Sequence, residues 1–126
     1  MPIFYNNEKY MDTLNNIEKL TPLKAGFGHF GLVNGEQNVR TLFLEHKSYM
    51  KKFREKIIKY YKEKPETSYV LKKMESFLYP RTDLSVDDNP VFSGISLAII
   101  YGEMISLGYR EIPGEELVYY RKFYSL

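Results

Sequence analysis

The chain has 126 residues, 44% of them hydrophobic and 27% charged, a balance that suits one buried core and excludes disordered and fibrous classes. Its net charge is only +2, and the absence of cysteine removes disulfides, thiolate metal sites and cysteine nucleophiles. Twelve Tyr and eight Phe, with no Trp, supply rings that line helix interfaces while the tyrosine hydroxyls stay wet.

The opening MPIFYNNEKY lacks a basic stretch followed by an apolar run, so the chain is read as soluble, cytoplasmic and without a signal peptide. Tyr10, Leu14 and Ile17 then follow i, i+4, i+7 spacing, and Leu20 continues the stripe of a first helix. Asn6 or Asn7 caps its start by accepting from an orphan amide, and Thr21-Pro22 ends it, because the residue before proline is driven out of the helical region. Leu23 to Phe30 with Gly26, Gly28, Gly31 and Gly35 reads as a short extended piece followed by a turn.

A second helix is expected from about Glu36 to Glu63, stopped at Lys64-Pro65, with Val39, Leu42, Phe43, His46, Met50, Phe53, Ile57 and Tyr60 on its apolar face. A third, from about Glu66 to Tyr79, buries Val70, Met74, Phe77 and Leu78. YPRTDLSVDDNP follows as a connecting loop. PVFSGISLAIIYGEMISLGY, residues 90–109, is apolar on almost every side and barely long enough to span a bilayer, yet it contains Glu103. A helix buried by its neighbours is therefore expected, ended by Gly108. Gly94, Ala98 and Gly102 recur every four residues as a groove for close helix approach, within the core or with a second copy. A short last helix carries Leu117, Tyr120 and Phe123 or Tyr124 inward. The pattern predicts one mainly α domain over 1–126: four or five helices with a minor extended segment and a glycine-rich loop near 23–35.

The charge is unevenly spread. Residues 47–64, KSYMKKFREKIIKYYKEK, hold eight Lys/Arg against two Glu. Such a stripe, with Lys51, Lys52, Arg54 and Lys59 as candidate anion-binding residues, attracts phosphates; its plainer reading is a solvated helix face, and nucleic acid is the weaker of the partner expectations.

Catalytic signatures are few. FSGIS is not the G-x-S-x-G elbow, and GFGHFG matches neither a dinucleotide fingerprint nor a P-loop with its lysine. His29 and His46 are the only imidazoles and form no H-x-H or H-x-x-x-H pair. His46 falls on an apolar stripe and reads as a hydrogen-bonded core residue, with Glu45 and Glu103 as candidate partners.

The order of a helix bearing Tyr10-Met11-Asp12-Thr13-Leu14, Ile17 and Leu20, then Gly28-His29-Phe30-Gly31, resembles the C-terminal part of metallo-β-lactamase-fold hydrolases, especially their glyoxalase-like branch. In that family the corresponding histidine is a ligand of a dinuclear metal centre, so the resemblance implies a metal-ligand role for His29. The helices from Glu36 onward would match a C-terminal extension used for dimerisation or for walling the substrate pocket. The match covers about residues 8–35, and H-x-H-x-D-H is absent, as are the family's middle histidine and bridging aspartate. One imidazole cannot hold a catalytic zinc, which needs about three protein ligands.

Two functions are therefore expected. In one, the chain is the C-terminal portion or partner subunit of such a hydrolase, inactive alone, with zinc bound only when an N-terminal partner completes the site. In the other, it is a non-enzymatic helical module that self-associates and binds anionic partners through its basic helix.

Overall fold

In a computed structural model, residues 5–27, 31–78 and 90–111 are described. They form a mainly helical fold with one small antiparallel sheet: α1 (Asn7–Lys19), β1 (Lys24–Phe27), β2 (Gly31–Asn34), α2 (Glu36–Glu63), α3 (Thr67–Leu78) and α4 (Pro90–Ser106). The expected last helix, residues 112–126, and the loop 79–89 lie outside the described residues.

Local chemistry explains the boundaries. Asn6 caps α1, its Oδ1 accepting from the Lys9 amide at 2.9 Å. Beyond the other end of α1, Thr21 takes a left-handed φ of 46°, costly for a β-branched residue, and Pro22 prevents any return to the helix. The glycine-rich segment pairs as a hairpin in the register Lys24↔Asn34, Ala25↔Val33, Gly26↔Leu32 and Phe27↔Gly31. The expected extended piece thus continues beyond its turn into a second strand. Gly35, at φ 93°, carries the chain from β2 into α2, and its amide donates to the Leu23 carbonyl at 2.9 Å. Lys64 leaves α2 in an extended conformation ahead of Pro65. Past α4, Gly108 at φ 72° forms a Schellman close: Tyr109 N donates to the Met104 carbonyl and Gly108 N to that of Ile105.

The core lies where α2, α3 and α4 meet. Phe53, Ile57, Val70, Met74, Ile100 and Met104 form one cluster of buried side chains. Burying each such side chain stabilises the fold by about 1.5–3 kcal/mol. Tyr5 and Leu14 are buried at the N-terminal end of the chain, and Val39 and Met50 on α2.

The helix expected to be buried by its neighbours carries both buried and exposed residues among those described. Ser96, Ile100, Gly102, Glu103 and Met104 are buried, whereas Gly94 is exposed and Leu97 is 43% exposed. Among the described residues no helix is long and apolar enough to cross a membrane.

Candidate anion-binding surface

The helical period of α2 sorts its residues into faces. Phe53 and Ile57 point into the core, and Lys51, Lys52, Glu55, Lys59 and Lys62 stand on the opposite side, all exposed. Four ammonium groups therefore share the outward face with two carboxylates, Glu55 and Glu63. Lys59 is 68% exposed and lies 4.0 Å from Glu63 one turn on, a spacing at which a solvated pair is worth little. Lys51 and Lys52 have no ion pair among the described residues.

Arg54 differs from the other basic residues proposed for this face. Its Nη1 donates to Oε1 of Glu103 on α4, and its side chain is only 29% exposed. Lys47 is likewise turned inward, to Glu18 of α1. These two cations hold helices together, and the outward charge comes from the lysines around them.

Glu103 is fully buried, and its Oε2 has no hydrogen-bond partner among the described residues. Burial pushes its carboxyl up from the ordinary value, with the Arg54 guanidinium opposing. Nearby, the Tyr5 hydroxyl donates to Asn7 Oδ1 at 2.9 Å and is itself driven upward, first by burial and then by the Glu103 charge.

His46 is half-buried and shares a 2.6 Å hydrogen bond between its Nε2 and the Tyr10 hydroxyl. Burial lowers its pKa, so the neutral ring is favoured. Neither carboxylate expected beside it serves as its partner. Glu103 is taken by Arg54, and Glu45 is exposed.

His29 lies outside the described residues, between the end of β1 and the start of β2. Among the described residues no group of three or more His, Cys, Asp or Glu side chains is placed to hold a metal. The residues Gly94, Ala98 and Gly102, expected as one groove, spiral from exposed through half-buried to buried.

A cleft of about 580 Å³ opens between the end of α1 and the start of α2. Its rim mixes Glu18 and Glu36 with Lys19 and Arg40 over Val39 and Phe43, so it concentrates neither sign of charge.

Beside the lysine face, along the seam of α2 and α3, sequence reading overlooked a set of aromatic rings. Tyr49 stacks on Phe77 with centroids 4.9 Å apart and planes 18° apart. The Lys56 ammonium lies 5.4 Å from the Phe77 centroid and 5.9 Å from that of Tyr60, and Lys59 lies 5.8 Å from Tyr60. On α3, Lys73 sits 5.5 Å from the Tyr69 ring. The interleaving of Lys with Tyr and Phe in KSYMKKFREKIIKYYKEK was the available signal, but its partner Phe77 comes from another helix.

No family model matches this chain, and no curated protein or solved structure matches it at a significant level.

Proposed function

We propose that this chain is a non-enzymatic helical module that docks a polyanionic partner on the outward face of α2. The observation that carries the reading is the separation of basic residues by role. Lys47 and Arg54 turn inward to carboxylates, while Lys51, Lys52, Lys59 and Lys62 stay in water with only Glu55 and Glu63 as acids among them. A set of like charges on one rigid helix raises the local concentration of a counter-charged chain and releases its condensed ions on contact. The test is titration of fluorescein-labelled polyphosphate, a polyanion without bases, at several salt concentrations. Binding at low salt that weakens steeply as salt rises supports the reading; no binding at about 50 mM salt removes it.

A second reading draws on the order of elements. A helix and then the strand Lys24–Phe27 lead into Gly28-His29, which is the order the metallo-β-lactamase resemblance implies. Under it, the chain contributes His29 and pocket walls to a hydrolase. The described residues do not themselves fit a metal centre, so zinc would need ligands from an N-terminal partner. Zinc titration with and without such a partner tests this, and indifference to His29→Ala would end it.

A further inference from the structure

We infer that the partner is a single-stranded nucleic acid, bound along the seam of α2 and α3 with bases on its rings and phosphates on its lysines. The inference rests on the polyanion reading above and adds what the lysines alone do not specify. A charged face by itself attracts any polyanion. Here the cations are interleaved with rings: Lys56 lies within cation–π distance of both Phe77 and Tyr60, and Lys59 of Tyr60.

The Tyr49–Phe77 stack is already formed, at 4.9 Å and 18°, and Tyr49 is 41% exposed despite its size. A base that extends an existing stack orders little of the protein. It also covers ring surface that otherwise faces water. Every base has a π-face, so such a platform grips a strand without reading its sequence.

Lys52 to Lys59 spans seven residues of helix, a rise of about 10 Å, so these lysines follow a short run of backbone phosphates. Two acids border the seam. Glu63 accepts from the Tyr69 hydroxyl at 3.0 Å and lies near Lys59, while Glu45 stands exposed beside Tyr49. They trim the attraction without reversing it, because Lys52, Lys56 and Lys59 outnumber them.

A duplex separates this partner from a generic polyanion. Its bases are already stacked on one another and have no free face to offer Tyr49 or Tyr60.

The experiment is fluorescence anisotropy of the full chain with three labelled probes: a mixed-sequence single strand, the same strand annealed to its complement, and polyphosphate. The single strand is expected to bind at least about fivefold more tightly than the duplex, the lower bound of one base–ring stack. Tyr49→Leu and Tyr60→Leu, which keep bulk against the core, should each lose about fivefold for the single strand while leaving polyphosphate affinity unchanged. Equal binding of all three probes overturns the inference and leaves the polyanion reading standing. Preference for the duplex, or single-strand binding indifferent to both substitutions, also overturns it. Binding of none overturns both. The comparison of probes on the unaltered chain stands even if a substituted chain fails to fold.

Discussion

Arg54 on α2 is the counter-ion of Glu103 on α4, although the two are 49 residues apart in sequence. The carboxylate is fully buried and the guanidinium reaches it from a partly solvated position, so one end of the pair is dry and the other is wet. Removing only the wet end strands a charge in the core. Arg54→Met should therefore cost about 3–5 kcal/mol at neutral pH, measured by urea unfolding. Replacing both partners, Arg54→Met with Glu103→Leu, removes the buried charge as well and should restore most of that loss. A double mutant as unstable as Arg54→Met alone would show that packing around the pair, rather than its charge, matters.

Two of the perturbed groups, Glu103 and His46, act in opposite directions with pH. Glu103 is raised above its ordinary value of 4.5, chiefly by burial. Its stabilising contribution is therefore full below 4.5 and is lost as pH rises through the higher folded value. His46 is lowered from 6.5 by burial, so its contribution is present above 6.5 and is lost as pH falls through the lower folded value. Thermal midpoints recorded across this range should show Glu103→Gln flattening the alkaline-going decline and His46→Gln flattening the acid-going one. Unchanged profiles in both variants would contradict the burial assigned to these side chains.

Two glycines should respond oppositely to alanine. Gly35 holds φ at 93° where β2 turns into α2, a backbone that side chains resist, so Gly35→Ala should destabilise by about 1–3 kcal/mol. Gly94 stands exposed in α4, and a Cβ placed there meets nothing within 4 Å. Gly94→Ala should stabilise by about 0.5–1 kcal/mol through helix propensity. A loss at Gly94, accompanied by a change in molecular mass by light scattering, would instead place it in an interface between copies.

The lysines separate by function in a salt titration. Lys52→Gln and Lys59→Gln should each reduce the log–log salt slope of single-strand binding by somewhat less than one, as about one phosphate contact is lost. Stability should change by no more than about 0.5 kcal/mol, because these side chains are exposed. Arg54→Gln should do the reverse, unfolding the protein more readily with little change in slope.

Much of the fold was legible in local chemistry. Asn6 as cap, Thr21-Pro22 and Lys64-Pro65 as stops, and Val39, Met50, Phe53 and Ile57 on one helix face all follow from spacing and backbone sterics, which act within a turn or two of the chain. The basic stretch 47–64 was equally visible, because charge is a property of composition. What each cation does was not. Arg54 and Lys52 are two residues apart and alike in charge, yet one is turned onto Glu103 and the other stands in water. Only the packing of α2 on α4 separates them, since desolvation depends on what lies across the interface. The same holds for His46, whose partner Tyr10 lies 36 residues away, and for Tyr49, whose ring partner Phe77 arrives on α3. Sequence by itself set where helices begin, end and turn their apolar sides. Tertiary structure decided which polar groups meet, because pairing needs proximity that local periodicity does not encode.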